Sequence, residues 1–358
     1  MILQFKCERL HYILNTHYIV SVYNDKLTIG NKSHPKYEYK FTLENVLHWY
    51  VENLKLQAFG IEYNGAIKFF KANNKDLEKL RGLSRCLLCF DNIVELYKQI
   101  DINEPSRLQD QISLQLCSMK VVSQQQLLTE VPIVRQLNHQ GIISYRECFQ
   151  YKSQYYIVTE FVGGITLQKF IIQNPKLSHL QCRAIILQLL KAVKYLHEHY
   201  VIHATIDISQ IVYKSDFIKI IDFSEAKQTN KIDDKDIKNC GRILFYLYQT
   251  FSSQFRYTGK EYSDKDQELN YKTLQSAQTP KLAQELILIM ICDNNVTVSL
   301  ILEHPYFSFS LDAEERKRRF QKFQRVQRST SEMDESDAIS QSIPELQTNK
   351  SKSLRQLM

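Results

Sequence analysis

The 358-residue chain is 44% hydrophobic and 24% charged, with a formal net charge of +7. That balance suits a soluble globular protein of two domains plus a tail, and it excludes a collagen-like, coiled-coil or wholly disordered chain. The N-terminus meets Lys6 before any apolar core forms, so no signal peptide is expected. No run of about 18 uncharged apolar residues predicts a membrane span, and a cytoplasmic location is expected. Eight cysteines are scattered. Only Cys86 and Cys89 form a CxxC, with no second pair or histidine to complete a zinc site, and they read as reduced thiols at a helix end.

Residues 11–15, 18–23, 26–29, 37–42, 58–63 and 66–70 read as strands, separated by turns at Asn24-Asp25, Gly30-Asn31 and Asn64-Gly65. Asn73-Asn74-Lys75-Asp76 then opens a helix whose apolar positions Leu77, Leu80, Leu83 and Leu87 repeat at helical spacing. A set of antiparallel strands closed by one helix, over residues 1–88, resembles a pleckstrin-homology (PH) domain and implies a small β-barrel. Basic residues for a phosphoinositide headgroup are sparse (Lys6, Arg9, His11 and, further on, Lys26), which favours a structural or protein-binding role.

From residue 89 to 311 the pattern changes. Residues 94–102 and 115–122 read as strands, 124–136 as a helix, and 143–149 and 155–160 as strands; residues 177–199, 236–250 and 299–307 read as helical. Within this order, His203-Ala204-Thr205-Ile206-Asp207-Ile208-Ser209-Gln210 is followed by Ile220-Ile221-Asp222-Phe223-Ser224. The pair resembles the catalytic loop and metal-binding motif of a protein kinase, H-R-D-L-K-x-x-N and D-F-G. The resemblance implies an α+β, two-lobed protein-kinase fold of serine/threonine type, with a β-rich small lobe over about 92–160 and a helical large lobe over about 163–309.

The resemblance also implies site residues. Lys120 in Cys117-Ser-Met-Lys120 and Glu130 ten positions later stand at the ion pair that holds the ATP phosphates. Thr159 aligns with the gatekeeper and Glu160-Phe161-Val162 with the hinge. Asp222 is the expected Mg²⁺ ligand, the alternative being an aspartate that caps a turn. Val134, Tyr145, Phe223 and His203 align with the hydrophobic spine joining the lobes, and Asp236 with the anchor at its base.

Other positions depart from the pattern. Thr205 replaces the catalytic aspartate and removes the base, worth 10²–10⁴-fold in general-base catalysis. Asp207 replaces the phosphate-neutralising lysine, and Gln210 replaces the metal-binding asparagine with a weaker ligand. No glycine lies between Gly82 and Gly141, so the G-x-G-x-x-G phosphate loop is missing, and Glu104 and Pro105 stand in its place. Only a short segment separates Asp222 from Asp236, with no activation loop or A-P-E motif, and no arginine stands near Asn295. The expected function is therefore a pseudokinase: a scaffold or allosteric regulator of a protein partner, such as an active kinase, with ATP and Mg²⁺ bound weakly or not at all. A divergent active serine/threonine kinase and a peripheral membrane adaptor are the alternatives.

Residues 312–358 are charged and rich in Ser and Gln, the composition of a disordered tail. Arg316, Lys317, Arg318, Arg319, Lys322, Arg325 and Arg328 form a basic run that suits anionic membrane; nucleic acid is not expected as a partner. Ser329, Thr330 and Ser331 follow it as candidate phosphorylation sites.

Overall fold

The computed structural model describes residues 1–9, 16–31, 34–102, 104–249, 279–294 and 296–308. The predicted strand at 11–15, the basic run and the three candidate phosphorylation sites lie outside them, as does Asn295.

Seven strands open the chain: β1 (Leu3–Arg9), β2 (Thr16–Val22), β3 (Lys26–Asn31), β4 (His34–Lys40), β5 (Val46–Glu52), β6 (Lys55–Tyr63) and β7 (Ala66–Lys71). Helix α1 (Asn74–Ser84) follows, capped by Asn73, whose side chain accepts from the Asp76 amide at 2.9 Å. The strands run in the order β4-β3-β2-β1-β7-β6-β5. The expected closed barrel does not form among the described residues: β4 and β5 do not pair, and β5 instead continues into the next module. Predicted helical position Leu87 also falls outside α1, because Leu87 and Leu88 turn back through amide bonds to the Ser84 carbonyl.

The continuation is the two-residue β8 (Cys89–Phe90), which pairs in parallel with β5 on one side and with β12 (Tyr145–Tyr151) on the other. Beyond it the small-lobe strands run β12-β13-β11-β10-β9, with β13 at Gln154–Glu160, β11 at Leu116–Val122, β10 at Arg107–Asp110 and β9 at Tyr97–Gln99. A single sheet of 13 strands thus crosses the expected domain boundary at residue 88. The core crosses with it, since Trp49 meets Phe90, Phe90 meets Phe149 and Phe149 meets Tyr97 in successive edge-to-face contacts at 5.5–5.9 Å. Residues 94–102, expected as one strand, divide instead into the short helix α2 (Ile93–Leu96) and β9. The break follows Asn92, which takes a left-handed backbone (φ 50°) at the start of α2.

Helix α3 (Gln124–Val134) opens on a complete capping box between Ser123 and Gln126, and Pro132 lies in its last turn. Pro132 has no amide to give the carbonyl four residues earlier, and the helix ends two residues after it.

The large lobe holds α4 (Leu167–Gln173), α5 (His179–Glu198), α6 (Lys235–Gln249), α7 (Lys281–Cys292) and α8 (Val298–Leu302). Its small sheets are β14 (Ile165–Thr166) with β16 (Ile211–Lys214) and β17 (Phe217–Ile220), and β15 (Val201–Ile202) with β18 (Lys227–Gln228). Apolar stripes of α5, α6 and α7 share one core. Gly241 is the point of closest approach between α6 and α7: a Cβ there would lie 2.8 Å from Ile291 Cγ1 and 2.9 Å from Met290 Cβ. Gly241→Ala is expected to force the helices apart and cost roughly 1–3 kcal/mol, read as a lower urea midpoint at unchanged slope. An unchanged midpoint would contradict that packing.

Candidate nucleotide cleft

Three predicted residues from distant parts of the chain meet between the lobes. Lys120 extends from β11, and its Nζ lies 2.5 Å from Glu130 Oε1 on α3. The same Nζ lies 3.1 Å from Oδ1 of Asp222, which follows β17. Glu130 is buried, with its side chain 4% exposed, whereas Lys120 and Asp222 are about one-third exposed and face the cleft. Burial pushes the Glu130 carboxyl up, opposed by the charge and hydrogen bond of Lys120. Burial also acts upward on Asp222, but Lys120 and the Ser224 amide outweigh it and hold this carboxyl below its ordinary range. The ammonium is thus pinned between two carboxylates at a position open to an anionic ligand.

Asp222 contacts Lys120 and also caps the turn that follows it. It does accept from the Ser224 amide at 3.1 Å, on the same Oδ1 that Lys120 contacts. On the antiparallel neighbour strand, the Gln210 carbonyl accepts from the Ile221 amide at 3.0 Å, which sets Gln210 beside the Asp222 turn. Gln210 Oε1 is buried and has no hydrogen-bond donor. A carboxylate just after β17 and an orphaned amide oxygen just before β16 are hard oxygen ligands of the kind that suit Mg²⁺.

The spine and its base also assemble. Val134, Phe223 and His203 are buried, with the His203 ring 4.8 Å from Phe223 in an edge contact, and Tyr145 packs partly buried against the same core. Asp236, fully buried on α6, accepts from the His203 amide at 2.9 Å and the Ala204 amide at 2.8 Å, and lies 3.0 Å from His197 Nε2. This anchor fixes the catalytic-loop backbone, including Ala204 at a left-handed φ of 71°.

Two substituted positions carry out local work. Asp207 does not stand free as a charge opposing phosphate. Its Oδ1 accepts from the Ser209 amide at 2.9 Å and hydroxyl at 2.8 Å, closing a turn. Thr205, half-buried in the same loop, offers a hydroxyl where a carboxylate base would be needed.

At the roof, β9 and β10 form the hairpin that stands in place of a phosphate loop. Near its tip the Arg107 amide donates to the Glu104 carbonyl at 2.9 Å, and the Met119 amide of neighbouring β11 donates to the Ser106 carbonyl at 2.8 Å. The Arg107 amide is thus taken and Pro105 has none to offer, so neither of these two described positions can cradle a phosphate. Arg107 instead lays its guanidinium 4.7 Å from the centroid of hinge residue Phe161. In the hinge, the Thr159 hydroxyl donates to the Glu160 carbonyl at 3.4 Å. The Glu160 side chain is taken by Lys219 and the Ser144 amide; burial opposes ionisation, but these partners keep its carboxyl below the ordinary range. Val162 follows, packed partly buried on the large-lobe core.

Residues 113–273 match the family model described as protein kinase domain. Curated relatives include the serine/threonine-protein kinase cds1 of Schizosaccharomyces pombe, 34% identical over 99 residues (27% of this chain and 22% of that protein). A probable serine/threonine-protein kinase KIN1 homolog of Encephalitozoon cuniculi is 30% identical over 146 residues, 40% of this chain and 25% of that protein. The probable serine/threonine-protein kinase PknB of Lactococcus lactis is 36% identical over 93 residues, 26% of this chain and 15% of that protein. The chain thus spans a quarter or less of the length of these relatives. Among solved structures, the autoinhibited serine kinase domain of the giant muscle protein titin aligns at a TM-score of 0.47 and 17% identity, covering 61% of this chain and 82% of that one. Over residues 113–273 the chain is similar to protein kinase domains, and the relatives named above are serine/threonine-protein kinases.

Among the described residues no helix is long and apolar enough to cross a membrane.

Proposed function

We propose that this chain is a pseudokinase: it keeps a nucleotide foothold in a kinase-type cleft and acts by binding a protein partner, an active kinase being the first candidate. The observation that carries the reading is the split state of the cleft. Lys120 is fixed between Glu130 and Asp222, while Thr205 stands at the base position and Asp207 is closed onto Ser209.

In this reading Lys120 neutralises a bound phosphate and Glu130 keeps the ammonium from swinging away. The Glu160 carbonyl and Val162 amide would receive the adenine edge. Asp222 and Gln210 would hold Mg²⁺, which when bound supplies positive charge to the phosphates. Thr205 takes no proton from an attacking hydroxyl, because it has no basicity at neutral pH, and the Asp207 carboxylate is turned onto Ser209. Transfer is expected to fail even where binding succeeds.

Thermal unfolding with ATP and Mg²⁺ tests the foothold. At 100 times its Kd a ligand adds about 2.7 kcal/mol of stability, and that gain is expected in the wild type and lost in Lys120→Ala. Absence of any shift at millimolar ATP would remove nucleotide from the proposal. The same cleft geometry favours a divergent active kinase as the second reading. Phosphate transfer by the purified chain, abolished in Asp222→Ala, would establish that reading and overturn the pseudokinase one. Cosedimentation with anionic vesicles, lost on neutralising Arg316–Arg319, would favour a membrane adaptor instead.

A further inference from the structure

The N-terminal module reaches the cleft machinery at three points. Arg81 on α1 donates from Nε to Glu147 Oε2 at 3.1 Å and from Nη2 to Asp110 Oδ2 at 3.1 Å, with a further short contact from Nη2 to Glu147 Oε1. Tyr97 donates its hydroxyl to the same Glu147. Next, the Tyr145 hydroxyl donates to the Arg85 carbonyl at 2.9 Å. Finally, Arg135, at the end of α3, donates to the Cys86 carbonyl at 2.6 Å. The partners are the roof hairpin β9–β10, the spine, and the helix that carries Glu130.

The geometry at Arg81 sets the direction of the argument. Asp110 lies on β10 and Glu147 on β12, two strands separated in the sheet by β11 and β13. No backbone ladder joins them, so their approach depends on how strongly the sheet curls. Their side chains are 8% and 4% exposed, and one guanidinium from outside the kinase-type lobe lies between them. Without that cation two carboxylates would be buried side by side, a state that charge repulsion and desolvation both disfavour. Asp110 keeps its bonds from the Ile112 and Ser113 amides, so besides taking up a proton the pair is relieved by swinging the β9–β10 hairpin away, which opens the roof of the cleft.

We infer that the N-terminal module is a built-in positioning element for the cleft, with Arg81 as the positioning residue for the β9–β10 hairpin and the carbonyls of residues 85 and 86 steadying the spine and α3. Its effect on ligand affinity rests on the nucleotide-cleft reading above; its effect on the hairpin does not.

Hydrogen exchange on the full chain without ligand tests it. In Arg81→Met the amides of residues 97–110 are expected to exchange at least about tenfold faster, the equivalent of one lost charged hydrogen bond. Residues 179–198 and 235–249 should stay protected. Arg81→Lys, which keeps the charge but loses the two-pronged geometry, should fall between. Acceleration confined to α1, or spread evenly over the whole chain, would overturn the inference. Should Arg81→Met fail to fold, Arg135→Ala decides: faster exchange limited to residues 124–134 supports the positioning role, and unchanged exchange there refutes it. A wild type that binds no ATP would defeat the nucleotide reading and leave the exchange result standing.

Discussion

Asp236→Ala is expected to destabilise the protein by roughly 3–5 kcal/mol, the range for stranding the partners of a buried charge. The carboxylate is fully buried and serves two backbone amides of one loop, at His203 and Ala204, together with the His197 ring. Alanine would leave both amides without an acceptor in a region closed to water, each a loss of the strong, charge-assisted kind. Ala204 would lose the restraint that keeps it at positive φ, and the loop carrying Thr205 and Asp207 would relax. Asp236→Asn keeps one acceptor oxygen and should lose less. Urea unfolding checks both variants, and a loss below about 1 kcal/mol for alanine would show that the anchor is not needed.

Acid should weaken the large lobe through its buried histidines. Burial holds His304 down at about 4, and its Nδ1 accepts from the Tyr306 amide at 3.2 Å, a role open only to the unprotonated nitrogen. Burial likewise lowers His203, against the opposing pull of Asp236 and Asp222. Between the ordinary histidine value of about 6.5 and the folded value, the unfolded chain binds more protons than the folded one. The stability from His304 is therefore complete above pH 6.5 and is lost as the pH falls from there to about 4. For His304 the loss is on the order of 3 kcal/mol. His304→Asn offers an amide oxygen to the same Tyr306 N–H but does not titrate, so its urea midpoint should fall less steeply over that interval. An identical slope in the two proteins would remove His304 as the cause.

The cleft was legible wherever its residues are tied to near neighbours or to strong local patterns. Lys120 lies in a predicted strand, Glu130 follows at helical reach and Asp222 follows an apolar strand, and the resemblance of these positions to kinase motifs singled them out. The Asp207 turn was also present in the sequence, because an aspartate favours an Asx turn onto the amide two residues on. Strands β1 and β5 were missed for different reasons. Leu3, Phe5 and Cys7 alternate inward, but a short N-terminal strand gains its value only by pairing with β2 and β7. In β5 the register shift between Tyr50 and Val51 breaks the period of two. Helix α7 was missed because its run from Leu286 to Cys292 is almost uniformly apolar, a pattern shared by a buried strand and a buried helix.

By itself the sequence determined most of the strands and helices and the motif positions Lys120, Glu130, Thr205, Asp207, Gln210 and Asp222, since each follows from local periodicity or a short motif. Only the tertiary structure decided that the N-terminal strands remain an open sheet and run on into the small lobe through Cys89–Phe90. It also decided that Arg81 serves Asp110 and Glu147, 29 and 66 positions away. A sequence states which groups must be satisfied when buried. It does not state which distant strand will curl close enough to satisfy them, because that depends on the packing of the whole sheet.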